Sequence, residues 1–436
     1  MKYLAILKDS FREAIDTKVF YVMVALSCVL IVVVSSVGFT PRPANDLIPE
    51  IEQTLNTDLT ALLNAAREKE FKLPKQQFPA IFKVVTVDSV DGSLDSPSSS
   101  LNFLLRAHFS NAFEADKERK DPGATEEFIR RRFATYGNTR LLAVIDIQPV
   151  DPPPETLKDG RDPSEVYFRV TTRPTAYTRA IWPHDTSVVF GKFTVPVTPT
   201  MQAVGLQVFF LEQVLVNFIG ASVTILVSVI ITGFFIPNML RRGTVDMLLV
   251  KPNRRWTLLT YKYLGGLTFI FLNTVLALGG VWLTFGLRSG LWSPSLLLMV
   301  FVTTFYFAIL YAVSALVAVL TRSAIVAILL SCLAWFVFWL VGIGYPALDL
   351  NVKEGRIPDG WYMTAVKGIH YVLPRPKDLD RLAANVLQQD LAPQYAAVEE
   401  QMNVAPVNWP ESLTVSCVFI GVMLGLACLS FSRRDY

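Results

Sequence analysis

The chain has 436 residues, of which 52% are hydrophobic and only 18% are charged, and its formal net charge is +3. This composition is unusual for a soluble enzyme and places the chain in a membrane, while the small net charge argues against a nucleic-acid-binding surface. The four cysteines, Cys28, Cys332, Cys417 and Cys428, all fall within apolar runs. We therefore expect them to be small core hydrophobes rather than disulfide partners.

The chain begins with an amphipathic segment and continues with long apolar runs. Residues 1–18 predict a helix on the cytoplasmic membrane surface, because Leu4, Leu7, Phe11 and Ile15 repeat at helical spacing. Six later runs are long enough to cross about 30 Å of hydrocarbon as helices. They lie at 19–39, 214–235, 264–287, 296–319, 324–344 and 413–431. The first lacks a clear small-residue cleavage site, which favours an uncleaved anchor over a signal peptide.

A polar insertion at 40–200 separates the first two predicted spans and is large enough to fold as a domain. Its apolar spacing predicts helices at 48–63, 101–113 and 126–136. Alternating patterns predict strands at 82–90, 141–147, 166–172 and 187–197. The fold class expected is thus a mainly α membrane protein with six transmembrane helices and an inserted α+β domain.

Lysines and arginines beside the spans predict the orientation. They precede the first span, fill the connection after the second, occupy the connection after the fourth and follow the last. These regions share one side if the chain crosses six times, so both termini are expected in the cytoplasm. The 40–200 domain and a loop at 345–410 then lie outside. That loop mixes aromatic residues with glycine and proline, and part of it either dips into the membrane rim or lies on its surface.

The most informative stretch runs from Gly243 to Gly266 and overlaps the cytoplasmic connection predicted at 237–262. It predicts a short amphipathic helix between two spans. Thr244 can cap this helix, and Asp246 suits the positive end of its dipole. Met247, Leu248 and Leu249 crowd apolar surface into the same turns. Such a surface in so short a connection requires a cover, either lipid or another protein.

Three polar residues lie within or beside the spans. Glu212 stands just before the second run, while Asn217 and Asn273 fall inside the second and third. A carboxylate in the membrane is a functional candidate by default, although Glu212 is expected to face water at the outer interface. The asparagines either line a substrate route or hydrogen-bond neighbouring helices.

Motifs for chemistry are missing from the sequence. It has neither a glycine-rich loop ending in Gly-Lys-Ser/Thr nor a Gly-x-Ser-x-Gly elbow. His108, His184 and His370 are dispersed without the spacing of a metal site. We therefore expect no catalytic residue, no metal and no enzymatic activity in this chain.

The connection after the second span also carries a specific motif. In order it contains Arg242-Gly243-Thr244, Leu248-Leu249, Lys251-Pro252, Arg255-Trp256 and Lys262-Tyr263-Leu264-Gly265, and the chain closes on Arg433-Arg434-Asp435. These residues, and the order of helix, span, external domain, span, connection and four further spans, resemble the permease subunits of type 2 ATP-binding-cassette (ABC) exporters.

The resemblance implies a division of labour between subunits. A separate ABC ATPase subunit would bind ATP and magnesium, and two permease subunits, identical or different, would form the pathway in the lipid bilayer. This chain would bind no cofactor and would lie in the cell membrane, the inner membrane in a bacterium. The ATPase-coupling residues implied are Arg242, Thr244, Asp246, Met247, Leu248, Leu249, Arg254 and Arg255.

The alternative function is a membrane receptor, or an assembly or regulatory subunit, that acts through its external domain and transports nothing. Six spans with short connections favour a pathway over an anchor, which needs only one or two spans. Export is favoured by the resemblance alone, and the substrate stays open.

Overall fold

The computed structural model describes residues 19–56, 80–90, 94, 96–135, 142–153, 162–196, 203–215, 229–230, 233–234, 236–237, 255–353, 355–356, 358, 360–391 and 409–433. In chain order its elements are α1 (Val19–Ser35), β1 (Gly38–Pro41), α2 (Ile48–Asn56), β2 (Ala80–Ser89), β3 (Leu101–Phe109), α3 (Ala112–Lys120), α4 (Gly123–Thr135), β4 (Leu142–Val150), β5 (Glu165–Pro174), α5 (Thr178–Ile181), β6 (His184–Val188), β7 (Phe193–Val195), α6 (Val204–Val214), α7 (Arg255–Ser289), α8 (Ser295–Thr321), α9 (Ala324–Lys353), α10 (Trp361–Val372), α11 (Pro376–Leu391) and α12 (Trp409–Arg433).

Four long apolar helices make this a multi-pass membrane protein. Within the described ranges, α7, α8, α9 and α12 have the length and composition to cross a bilayer. Two shorter apolar helices, Phe20–Ser35 and Val204–Val214, fall in the first predicted span and just before the second. Helix α7 starts well before the predicted span at 264, and α9 runs beyond the predicted end at 344.

Helix α8 is the centre of the bundle and packs against α7, α9, α11 and α12. Its most apolar stretch is 67% buried, whereas the corresponding stretches of α9 and α12 are only 17% buried. A helix that is apolar all round is expected to be surrounded by other helices, as α8 is here. The exposed apolar faces of α9 and α12 are suited to lipid or to another subunit.

The inserted residues form an α+β unit with a hydrophobic core of its own. One antiparallel sheet has the strand order β2-β3-β5-β4, and a smaller sheet has the order β1-β6-β7. Along the central strand β3, Leu101, Phe103, Leu105, Ala107 and Phe109 alternate and are all buried. Helix α4 covers the larger sheet, where the ring of Phe128 stacks on that of Phe82.

The predicted helix at 101–113 is wrong, because residues 101–109 form strand β3. The local excess of apolar residues matches helical spacing over a few residues, but the two-residue alternation of buried side chains decides the structure. The predicted strand at 187–197 is instead a hairpin, β6 and β7, joined by a turn. Helix α2 confirms the start of the helix predicted at 48–63, whose remainder after Asn56 lies outside the described residues.

The expectation of core cysteines is also wrong. Cys28 and Cys417 are exposed, and Cys332 and Cys428 are only partly buried. They lie on apolar helices whose outer faces are not covered by other described residues, so hydrophobicity does not imply burial in a protein core. All four are free thiols.

The stretch predicted as a loop at 345–410 is largely helical where it is described. It contains the last turns of α9, then α10 and α11. Helix α11 packs against α6, α8, α9 and α12, so it lies within the end of the bundle rather than beside it. Its buried side chains Leu379, Leu387 and Leu391 face these helices.

Candidate functional site

The predicted coupling segment lies almost wholly outside the described residues. This applies to Arg242, Thr244, Asp246, Met247, Leu248, Leu249 and Arg254, whereas Arg255 is the first residue of α7 and only its backbone is described. The described part of 237–262 from Arg255 onward is helical and continuous with the third predicted span. A displacement of the preceding residues would therefore act directly on α7.

The first turns of α7 pack closely on α8. The Tyr263 hydroxyl donates a hydrogen bond of 2.8 Å to the Ala308 carbonyl. Its ring stacks on Tyr311, with centroids 5.1 Å apart, and Tyr311 stacks in turn on Phe307. A Cβ atom at Gly266 would lie 2.7 Å from the Tyr311 ring. Glycine thus permits a contact between α7 and α8 that any other residue would push apart.

The opposite ends of the helices carry part-buried polar contacts made by α11. The Asp390 carboxylate accepts hydrogen bonds from the backbone N–H of Ser295, at 3.2 Å, and from the Ser295 hydroxyl at the start of α8. The Asp378 carboxylate accepts from the Ser412 hydroxyl near the start of α12. We call these four residues the outer polar belt, after the side on which the orientation predicted from the sequence would place them. A carboxylate at a helix N-terminus is favoured by the helix dipole, so both contacts fix α11 in place.

An ion pair also connects the segment between α10 and α11 to α12. The Arg375 guanidinium, almost fully buried, lies 2.8 Å from Glu411 and donates to the carbonyl of His370 at 2.8 Å. It also lies over the Tyr371 ring, 4.7 Å from its centroid. The Glu411 side chain is 35% exposed, so removing one charge should cost less than the about 3–5 kcal/mol typical of fully buried pairs.

Glu212 lies beside the outer polar belt. The sequence predicts that its side chain faces water, but the side chain is buried. Its side chain is only 1% exposed, and within the described residues its Oε2 atom has no hydrogen-bond partner. The acidic neighbour that acts on it electrostatically is Asp390. Helix α6 is pressed against α11, because a Cβ at Gly205 would lie 2.0 Å from the Leu391 carbonyl oxygen. This packing excludes water and buries the carboxylate.

The two predicted asparagines occupy different settings. Asn273 is 8% exposed, and its side-chain oxygen accepts a hydrogen bond of 3.3 Å from Ser27 of α1. It therefore contacts the first helix, whereas Glu212 approaches Asp390 of α11. Asn217 lies outside the described residues.

The inserted unit is tied to α6 by a buried hydrogen-bond network. Gln207 donates through Nε2 to the His184 carbonyl at 2.8 Å, and the His184 ring N–H at Nδ1 donates to the Trp182 carbonyl at 2.8 Å. Burial lowers the pKa of His184, and the nearby Arg179 cation acts in the same direction. The lowered pKa favours the neutral ring at neutral pH, although the hydrogen bond to the Trp182 carbonyl acts in the opposite direction.

One group with metal-ligand side chains occurs among the described residues, although none was expected. His108 Nδ1 lies 3.8 Å from both Asp162 Oδ2 and Glu165 Oε1. The pairing of β3 with β5 brings His108 opposite Glu165, which sequence spacing did not reveal. However, the Arg106 guanidinium already lies 3.3 Å from Glu165. The group is therefore best explained as a surface ion-pair cluster.

Sequence reasoning missed the outer polar belt. Its signal is faint but present: Asp378 and Asp390 stand in the first and last turns of an amphipathic helix that was predicted as part of a loop. Their partners Ser295 and Ser412 are ordinary helix-start residues and carry no distinguishing pattern.

Comparison with known proteins decides the family. The family model described as ABC-2 family transporter protein matches residues 4–436, nearly the whole chain. The chain belongs to the ABC-2 transporter family. This confirms the resemblance noted in the sequence and identifies the ABC-2 chain as a permease subunit of an ABC transporter, a membrane component that is typically not catalytic. No curated protein matches the ABC-2 chain.

Proposed function

We propose that this chain is the permease subunit of an ABC exporter and crosses the membrane six times with both termini in the cytoplasm. A second permease subunit would complete the pathway, and a separate ATPase would supply the energy. The observation that carries the proposal is the family match over residues 4–436, which includes the predicted coupling segment. The four long apolar helices and the two shorter ones support it.

The packing of α7 suggests how the motor would act on the pathway. ATPase closure would displace residues 243–251, and α7 begins shortly after them at Arg255. The stacked Tyr263 and Tyr311 rings would pass this movement from α7 to α8. Because interlocked helices shift as rigid bodies rather than deform, α8 would move along its whole length.

The same movement would reach the outer ends of the helices. Helix α8 starts at Ser295, whose backbone and hydroxyl bind Asp390 of α11. Glu212 lies beside Asp390, and among the described residues its Oε2 atom has no hydrogen-bond partner. We infer that the outer polar belt closes the pathway on the outside and that Glu212 becomes accessible when the belt opens.

Replacement of Leu248 tests the coupling assignment. We expect Leu248→Asp to lose ATPase association, because a buried charge would replace an apolar anchor at the subunit interface. The measurement is vanadate-sensitive ATP hydrolysis by complexes purified through a tag on this chain from native membranes, together with the amount of ATPase that copurifies. Both should fall at least about tenfold, since loss of an interface hot spot costs about 2 kcal/mol or more.

Two controls make the result specific. Leu248→Met keeps the apolar volume and should retain the ATPase. Ser323→Asp introduces the same charge in the connection between α8 and α9, on the same predicted side, and should also retain it. Wild-type copurification and hydrolysis with Leu248→Asp, at normal membrane levels, would show that the segment does not dock the motor. Stimulation of hydrolysis by one defined substrate in vesicles would favour transport over a receptor or regulatory role.

A further inference from the structure

The β6–β7 hairpin presents an apolar surface at its turn. Val189, Phe190 and Phe193 are 52%, 64% and 55% exposed, and Val195 is 41% exposed. All three residues of β7 are exposed. Adjacent exposed rings and branched side chains are uncommon on a surface that faces water only.

The backbone of this turn is strained, because two bulky residues at its tip have positive φ values. Val189 and Phe190 have φ values of 56° and 55°, followed by Gly191 at 88°. Positive φ is easy for glycine but unfavourable for a bulky residue and above all for a β-branched one. Hairpin turns of this kind normally use glycine or asparagine. Strain of this kind points to a role for the Val189 and Phe190 side chains.

The turn lies at the level where two membrane helices end. The Phe190 backbone N–H donates a hydrogen bond of 2.9 Å to the carbonyl of Ser36, directly after α1. The Arg288 guanidinium, in the last turn of α7, lies 6.0 Å from the Phe190 ring centroid. Val32 of α1, one helical turn before Ser36, and Leu287, next to Arg288 in α7, are 58% and 71% exposed. The apolar turn therefore contacts the ends of two helices that carry exposed apolar side chains close to those contacts.

Two cations accompany the exposed rings. The Lys192 ammonium lies 5.6 Å from the centroid of the Phe193 ring, and Arg288 lies beside Phe190. In the part of the chain that the structure describes, neither cation is within ion-pair distance of a carboxylate. Rings at the edge of the hydrocarbon, with cations reaching towards the phosphates, are typical of residues at a membrane interface.

We propose that the turn from Val189 to Phe193 is a membrane anchor of the inserted unit. Phe190 and Phe193 enter the boundary between acyl chains and headgroups, and Lys192 and Arg288 bind headgroup phosphates. The proposal requires that α1 and α7 cross the membrane, and it is independent of coupling and substrate. The occupant of this surface is lipid rather than a second copy of the chain, because the turn contacts the ends of two apolar helices and carries two cations suited to headgroup phosphates.

Spin labels at the turn test this anchor. In a variant whose four native cysteines are replaced by serine, Phe190→Cys and Phe193→Cys each receive a nitroxide label, and each keeps the other ring. The full chain is reconstituted in vesicles of phosphatidylcholine with phosphatidylglycerol. The matched control is Phe113→Cys, because Phe113 is 81% exposed on α3, which packs within the inserted unit.

The readout is collision with oxygen, which concentrates in the bilayer, and with a water-soluble nickel complex. We expect an oxygen-to-nickel ratio several-fold higher at positions 190 and 193 than at 113. Adding Lys192→Glu should lower the ratio in vesicles with phosphatidylglycerol more than in pure phosphatidylcholine. Ratios equal to that at 113 would overturn the anchor in favour of a water-exposed turn. Labels shielded from both reagents would overturn it in favour of contact with a second copy.

Discussion

The surroundings of the Glu212 side chain disfavour a negative charge on its carboxyl group. It is 1% exposed, its Oε2 atom has no partner among the described residues, and its acidic neighbour is Asp390. We expect Glu212→Gln to raise the unfolding temperature of the purified chain in detergent, because a neutral amide of the same shape removes the cost of a buried carboxyl. The gain comes from the removed charge alone, since the amide leaves the same position without a partner among the described residues, and it should be about 1 kcal/mol.

The control for this substitution is Glu127→Gln on the exposed side of α4, which should change stability by less than about 0.5 kcal/mol. A loss of stability with Glu212→Gln would indicate that the carboxylate has a binding partner, such as a cation. The burial of Glu212 was beyond sequence reasoning, because nothing in the local pattern pairs residue 212 with residue 390. Asn273 illustrates the same limit, since the sequence left open whether it lines a route or contacts Ser27.

At the scale of elements, the contact between α7 and α8 depends on one glycine. We expect Gly266→Ala to displace the Tyr311 ring, which lies 2.7 Å from where the new Cβ would be, and to destabilise the chain by about 1–3 kcal/mol. ATP hydrolysis by the purified complex should fall as well if α7 transmits the motor's movement. Thermal unfolding and vanadate-sensitive hydrolysis measure the two effects.

Gly279→Ala provides the matched control on the same helix, because nothing lies within 4 Å of its would-be Cβ. In the helix interior this change should be neutral or stabilising by up to about 1 kcal/mol. Equal effects of the two substitutions would mean that helix propensity, rather than the Tyr311 contact, governs the result.

The long apolar helices were predictable because their signal is local and extends over many residues. Strand β3 was not, since LNFLLRAHF fits a helical face nearly as well as an alternating strand, and only pairing with β2 and β5 decides between them. Helix α11 was assigned to a loop for a related reason. Its apolar face is narrow, and it becomes a bundle element only because α6, α8, α9 and α12 surround it.

At the scale of the whole molecule, the proposed six-span topology assigns each connection to a side. In a cysteine-free background we expect Ser98→Cys, exposed in the inserted unit, to react with a membrane-impermeant maleimide in intact spheroplasts. Ser323→Cys, between α8 and α9, should react only after permeabilisation. The proposed topology has four membrane crossings before position 323. Labelling of this position from outside would mean that the number of crossings is odd, and the second predicted span would then not cross the membrane.

Hydrogen bonds join the inserted unit directly to α1 and α6. The Phe190 N–H binds the end of α1 through Ser36, and Gln207 of α6 binds the His184 carbonyl. Any tilt of α1 or α6 must therefore be carried into β6. Because both hydrogen bonds involve backbone groups of the inserted unit, we expect small rotations of α1 or α6 to become larger displacements at the far edge of that unit.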